Sequence, residues 1–445
     1  MTVEKRIFYS ICIISFAGSF LSTALNIAIP IMSDEFRLPP DKLSWVITAF
    51  LIPTAACLLP MGKVSDIYGR RKTYATALVT FAITTAATVL TTTLPLLLIT
   101  RVLQGIALSA VYVSYMPLLL ATTDDEHQGH ILGLCVGLTY LGLSLGPVIG
   151  GILTEYMGWR SIFILTAIMT IAAYIFIHPI HEEWYANSAP FVNAISSALS
   201  IAGIALFLWG LSSYTTSAIP LWAGLLLICL FILHESRSYH PLLPLYIFRS
   251  YAFSLSTLAA FIQYSATYAL SFLLSLYLQI LAGLSPAVSG LILLVQPIMM
   301  AVLSPKAGSL ADKYSPMHIA TAGLALTTVG LAGFACWPDA SIAAVIIFLL
   351  LIGTGSALFG APNNSAIMNA VKPSYHGIAS SMLALARNLG QASSMAAVTL
   401  ILSWYTAATP LYAQAVRSSL RVSYALFAAL CLLSVFTSLA RQKKQ

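Results

Sequence analysis

Gly62-Lys63-Val64-Ser65-Asp66-Ile67-Tyr68-Gly69-Arg70-Arg71-Lys72 is a charged segment lying between two long apolar runs, in a chain of which only 8% of residues are charged. Its glycines permit close backbone approach and a tight turn, and one acid with three following bases reads as a water-facing loop. Far downstream, Gly308-x-Leu310-x-Asp312-x-x-Ser315 repeats the spacing of glycine, aliphatic residue and aspartate, again between apolar runs. Two copies of one device point to a duplicated membrane protein.

Composition agrees. The 445 residues are 59% hydrophobic with a mean hydropathy of +0.90, against about 45–50% apolar in soluble domains. The apolar runs are long enough to cross a ~30 Å hydrocarbon core as helices, and the alternating ten-residue pattern of a membrane barrel is absent. Spans are expected near 7–31, 41–61, 73–94, 97–120, 130–154, 160–179, 191–212, 217–234, 252–280, 287–306, 317–336, 341–361, 377–404 and 420–440. The first run is too long for a signal peptide and is read as a retained helix. The +7 net charge comes from bases scattered at the edges of apolar runs, which excludes a nucleic-acid surface. Cys12, Cys57, Cys135, Cys229, Cys336 and Cys431 lie singly, without disulfide or metal spacing.

With Lys5 placed inside, fourteen bases fall at cytoplasmic ends and five (Arg37, Lys42, Arg160, Arg417, Arg421) outside, so both termini are expected in the cytoplasm. Trp159, Trp337 and Trp404 then sit at outer boundaries as interfacial anchors. The two aspartate motifs follow spans 2 and 10, eight helices apart where a plain two-halves transporter would have six. Spans 7 and 8, flanked by polar His181-Glu182-Glu183-Trp184 and His234-Glu235-Ser236-Arg237, are the candidates for the inserted pair.

The first motif resembles the G-x-L-x-D-x-x-G-R-[KR] signature of major facilitator superfamily transporters, matching at Gly62, Asp66, Gly69, Arg70 and Arg71. Gly308 and Asp312 form a second copy in which Pro316 and Met317 replace the glycine-arginine continuation. Span 5 carries Gly142-x-x-x-Gly146-Pro147-x-x-Gly150-Gly151, similar to the family's antiporter signature at every fixed position. Its glycines at i, i+4 and i+8 make a smooth packing face, and Pro147 removes a helix hydrogen bond. Span 4 carries Arg101-x-x-Gln104-Gly105, and span 1 ends Leu25-Asn26-Ile27-Ala28-Ile29-Pro30, similar to further family segments.

The resemblance implies an all-α polytopic membrane protein with the major facilitator fold and fourteen transmembrane helices arranged 6+2+6. Residues 1–180 would form the first six-helix half, 181–250 the inserted pair with its linkers, and 251–445 the second half. It further implies a secondary active exporter of amphipathic small molecules and drugs, working by alternating access with two halves rocking about a central site. The two aspartate motifs would act as conformational latches, and the span 5 motif would seal the route between halves. No cofactor is implied. The expected partners are a small-molecule substrate, protons and the lipid bilayer, with the chain acting as a monomer in the cell membrane.

One departure bears on coupling. The family places an aspartate five residues before Asn26, where this chain has Leu21, and all acids and histidines fall in loops or at span ends. Arg101 and Glu155 are therefore the coupling candidates: Arg101 either faces a polar interior or snorkels outward, and Glu155 either reaches the cavity or is a solvated helix-end acid. Arg387 lies about 15 Å into span 13, as an attractor of anionic cargo or as a structural post. Further cavity candidates are Asn26, Gln104, Tyr112, Tyr115, Gln263, Tyr264, Gln296 and Asn363, each of which has interhelical hydrogen bonding as its alternative role. Other readings are a facilitator or an anionic-metabolite exporter without proton antiport, and a non-transporting receptor. An enzyme is excluded because no nucleophile with a nearby base, and no metal-ligand set, falls within a span.

Overall fold

In a computed structural model, residues 2–38, 43, 45–124, 127–185, 191–214, 217–239, 241–284, 286–337, 340–408 and 412–442 are described. They are helical almost throughout, the form in which an apolar segment satisfies its own backbone in lipid. In chain order the helices are α1 (Val3–Phe36), α2 (Trp45–Ala56), α3 (Leu58–Tyr68), α4 (Arg70–Val89), α5 (Leu94–Thr122), α6 (Gln128–Met157) and α7 (Arg160–Ile177). There follow α8 (Ala194–Ser212), α9 (Ile219–Arg237), α10 (Tyr251–Thr267), α11 (Leu270–Leu276), α12 (Pro286–Leu293) and α13 (Val295–Lys313). The last four are α14 (Pro316–Cys336), α15 (Ile342–Asn369), α16 (His376–Ala408) and α17 (Tyr412–Gln442).

Among the described residues, eleven helical segments are long and apolar enough to cross a membrane, or twelve when the bent pair α2–α3 counts as one span. α4 and α16 fall short by composition. The first begins Arg-Arg-Lys and is rich in threonine; the second carries Arg387, Asn388 and Gln391.

Three expected spans are broken, each for a visible reason. Pro60 has no N–H to give the Ala56 carbonyl, and α2 and α3 meet at a bend of 51°. Pro297 does the same to Leu293 between α12 and α13. At the α10–α11 junction the Ala269 N–H is taken by the Ser394 hydroxyl at 3.1 Å, which withdraws it from the helix ladder.

The chain divides into two compact units. One comprises residues 1–125, 138–247 and 371–385; the other 126–137, 248–370 and 386–445. In the first, α5 packs on α2 and α4, and α7 on α1 and α4. The α8–α9 pair meets through its own backbones, since a Cβ on Gly224 would overlap the Phe207 N–H and one on Gly210 the Leu221 N–H. Trp209 of α8 then packs edge-on against Trp45 of α2, with ring centroids 6.1 Å apart. In the second unit, α14 and α15 close through Gly323 and Gly355, and Leu270, Leu273, Phe334, Ile352, Tyr424 and Phe427 fill the core.

Two expectations are corrected here. The segment from Gly62 to Lys72 is not a water-facing loop, because helix runs up to Tyr68 and resumes at Arg70, and Lys63, Asp66 and Arg70 are all buried. Trp159 is not a surface anchor. It is 1% exposed, packs edge-on against Phe163 and donates to Glu35 at 2.7 Å. Burial alone would raise the Glu35 carboxyl, but the hydrogen bonds from Trp159 and Arg160 and the Arg160 charge hold it below its ordinary value.

Candidate functional site

Gly69 is the single break between α3 and α4, with φ at +105°, in the region that favours glycine. The helix that restarts at Arg70 exposes unpaired N–H groups, and an acid from the stretch after α7 takes them. Glu183 accepts from Arg71 N at 2.8 Å and Lys72 N at 2.9 Å, while the Trp184 carbonyl accepts from Arg70 N at 2.9 Å. A carboxylate at a helix N-terminus gains from both hydrogen bonding and the helix dipole. A Cβ at position 69 would overlap the Glu183 side chain where it now sits, and the positive φ disfavours one in any case. Glu183→Ala is expected to cost about 1–2 kcal/mol, as for the loss of a strong N-cap, read as a lower melting temperature of the purified protein.

Asp66, 1% exposed, lies one helical turn from Arg70, with Oδ1 3.4 Å from Nη2. The same guanidinium donates to the Pro373 carbonyl at 2.9 Å. The carboxylate rests on the first turn of α16, where a Cβ on Gly377 would stand 2.5 Å from both its oxygens. Gly62 meets Ser381 of the same helix, and Arg71 donates to the His178 carbonyl at 3.0 Å. The motif thus gathers the start of α16 and the end of α7 around one buried acid.

The second copy reaches the same end with different chemistry. Asp312 accepts from Gly129 N at 2.7 Å and His130 N at 2.9 Å, at the start of α6. The His130 ring lies 2.7 Å from the Ser309 hydroxyl, and Gly308 abuts the Gly129 carbonyl. No arginine is needed, because two backbone donors address the carboxylate directly. Glu183 and His130 escape a reading of the sequence, since their partners lie 112 and 179 residues away.

The glycine motif of α6 lies along α1. A Cβ on Gly142 would stand 2.5 Å from the Phe16 carbonyl, and one on Gly150 2.7 Å from Ala24 Cβ; Gly146 abuts the Thr23 hydroxyl. Pro147 and Gly151 are half-buried on the same helix. Leu21, at the family's aspartate position, is fully buried in α1.

Arg101 does not snorkel. It is 1% exposed; Nε donates to the Val46 carbonyl at 2.9 Å, Nη1 to Gln104 at 2.7 Å, and the guanidinium stacks 4.1 Å over Phe50. Gln104 passes the chain on to Thr88 at 2.8 Å. Gln104 is 0% exposed, so this cavity candidate instead cross-braces α2, α4 and α5. Gln263, 2% exposed, likewise spends its amide on Ser356 and Thr327 at 3.1 and 3.3 Å. Asn363 donates to the Ser256 carbonyl at 3.1 Å, and Gln296 is buried against Met300. These amides are drawn inward because an unpaired one in an apolar interior is costly. Tyr112, Tyr115, Tyr264 and Arg387 are half-buried, and the rings of Tyr112 and Tyr115 meet edge-to-face at 6.3 Å. Glu155 is exposed near the end of α6. The Asn26 side chain lies outside the described residues.

The family model described as Major Facilitator Superfamily matches residues 11–393 and 256–444. The riboflavin transporter RibZ of Clostridioides difficile is 29% identical over 393 residues, covering 85% of this chain and 84% of its own. The multidrug resistance protein Stp of Mycobacterium tuberculosis is 28% identical, covering 86% and 73%; the tetracenomycin C resistance and export protein of Streptomyces glaucescens is 27% identical, covering 83% and 70%. In fold, the chain matches the human organic anion transporter MFSD10 with a TM-score of 0.68 at 15% identity, covering 98% of each chain. The paired aspartate motifs and glycine-faced α6 agree with that match across the chain, which belongs to the Major Facilitator Superfamily, as a multi-pass membrane transporter resembling the drug efflux members, and not an enzyme.

Proposed function

We propose that the protein is a secondary active exporter that carries amphipathic small molecules, drugs among them, out of the cytoplasm by alternating access, driven by protons. The observation that carries export is the α6 stripe, where Gly142 and Gly150 meet α1 at backbone distance and leave no room for side chains. Export relatives such as the tetracenomycin C protein support the same direction. In this reading the chain sits in the cell membrane as a monomer with both termini cytoplasmic. It has fourteen spans as 6+2+6 when α2–α3, α10–α11 and α12–α13 are each one bent span. Asp66 and Asp312 act as latches on α16 and α6.

With Leu21 buried at the usual aspartate position, the proton carrier in this reading is Glu155. A second reading, transport of a metabolite without antiport, is favoured by the riboflavin transporter among the relatives and by half-buried Arg387.

Proteoliposomes loaded with a cationic dye, with riboflavin or with an organic anion, with and without a proton gradient, test both. Gradient-driven dye efflux that falls at least about tenfold in Glu155→Gln is the expected result. Riboflavin or anion flux indifferent to the gradient would replace it with the second reading. Binding without flux of any probe would sink both in favour of a receptor.

A further inference from the structure

The seam between α1 and α6 keeps its register past its last glycine. Glu35 and Trp159 stand 124 residues apart in sequence, close to the offset at which Ser19 meets Gly142 and Thr23 meets Gly146. Beyond Gly151, α6 carries full-sized side chains as far as Met157, and a helix pair without small residues has nothing in that stretch to hold its backbones close. The seam is fastened again beyond it. Gly158, with φ at +79°, turns the chain, and the Ser161 hydroxyl caps the Gly158 carbonyl at 2.6 Å. Trp159 is thereby set against α1, where its N–H reaches Glu35 Oε2 at 2.7 Å and its ring lies 6.1 Å from that of Phe36. The other carboxylate oxygen takes Arg160 Nη1 at 2.7 Å. The same guanidinium lies 4.3 Å from the Trp159 ring and donates to the Val89 and Thr91 carbonyls at 3.1 Å each. These carbonyls close the C-terminal end of α4, where the helix dipole favours a cation.

We propose that Glu35, Trp159 and Arg160 form a clasp that holds the far end of the α1–α6 seam closed, all three being positioning residues for the seal that the glycines begin. Glu35 is the part of α1 that both donors address. The ion pair alone would contribute little, since both of its charges are partly exposed. The indole commits the arrangement, because Trp159 is 1% exposed and without the carboxylate its N–H would be left buried and unpaired. Arg160 adds α4 to the knot, so three helices share one fastening. This rests on the export reading for what the seam closes against, a route for solute, while the clasp itself can be measured without any transport.

The full chain in lipid nanodiscs is compared as wild type, Glu35→Ala, Glu35→Gln, Trp159→Phe and the Glu35→Ala/Trp159→Phe double variant, by hydrogen exchange and by ultraviolet resonance Raman scattering from indole. Glu35→Ala and Trp159→Phe should each speed exchange of the amides at 152–158 about tenfold, while those of α14 change less than about twofold. The double variant should be no faster than either single, because Trp159 acts through Glu35. The Trp159 band, isolated by subtracting the matching Trp159→Phe spectrum, should move from a bonded to an unbonded N–H in Glu35→Ala and return in Glu35→Gln, whose amide oxygen still accepts. In proteoliposomes without a gradient, Glu35→Ala should leak trapped cationic dye about tenfold faster than wild type. Unchanged exchange in both single variants, an unmoved indole band, single effects that multiply in the double, or dye leak at the wild-type rate would each overturn the proposal. Failure of the export reading looks different, since wild type then shows no gradient-driven flux while the exchange and Raman results stand. If Glu35→Ala does not accumulate as folded protein, recovery of folded yield in Glu35→Gln supports the clasp, and equal loss there overturns it.

Discussion

Alanine at Gly308 is expected to part α13 from the start of α6 and to lower transport at least tenfold, the equivalent of about 1.4 kcal/mol. The added methyl would meet the Gly129 carbonyl carbon at 2.7 Å and His130 Cα at 3.2 Å, overlapping the carbonyl oxygen itself. Both neighbours are backbone, so no rotamer change relieves the contact. Overpacking of this kind costs about 1–3 kcal/mol. Separation also stretches the two bonds that Asp312 accepts at 2.7 and 2.9 Å, each a hydrogen bond to a charged group worth about 1.5–3 kcal/mol. Thermal unfolding in nanodiscs and dye efflux measure the two consequences. Gly290→Ala is the control, having no heavy atom within 4 Å of its added methyl, and should stay within about 0.5 kcal/mol of wild type. An unchanged melting temperature in Gly308→Ala would mean that the two helices do not touch as described.

Arg101→Ala should be the most damaging change to stability in the first unit. It empties a site among Phe50, Phe163 and Gln104, for which large-to-small precedents run to about 3–5 kcal/mol. It also strips donors from the Val46 carbonyl and from Gln104, and leaves both buried. Arg101→Lys separates geometry from charge. Lysine keeps the cation but not the planar fork that serves two acceptors and stacks on Phe50, so it should recover less than half of the lost stability. Full recovery by lysine would show that the charge alone matters. The measurements are folded yield and melting temperature, with dye efflux alongside.

Much of the fold was legible because bilayer crossing writes itself into one-dimensional hydropathy: α5, α7 and α15 fall where their apolar runs lie. The breaks were partly legible. Pro60 and Pro297 can be read locally, whereas Ala269 loses its helix bond to a serine 125 residues away. Glycine motifs announced close approach, but not the partner. That Gly69 faces Glu183, and Gly308 faces Gly129, follows only from the fold. Treating charge as a sign of water misread Lys63, Asp66 and Arg70, because a charged residue can be buried when a counter-charge lies one turn away and a distant carbonyl takes a further bond, as Asp66 and Pro373 do for Arg70. Polar residues within spans read either as facing a cavity or as bonding between helices. Gln104 and Gln263 show the more economical fate of an amide in an apolar setting, which is to bond with hydroxyls on neighbouring helices.

The backbone-to-backbone closure of α8 on α9 through Gly210 and Gly224 bears on how such a chain can arise. A helical pair that packs mainly on itself is a portable insert, acquired or lost in one genetic step with little repacking elsewhere. Homologous chains that carry the pair should therefore keep glycine at both 210 and 224.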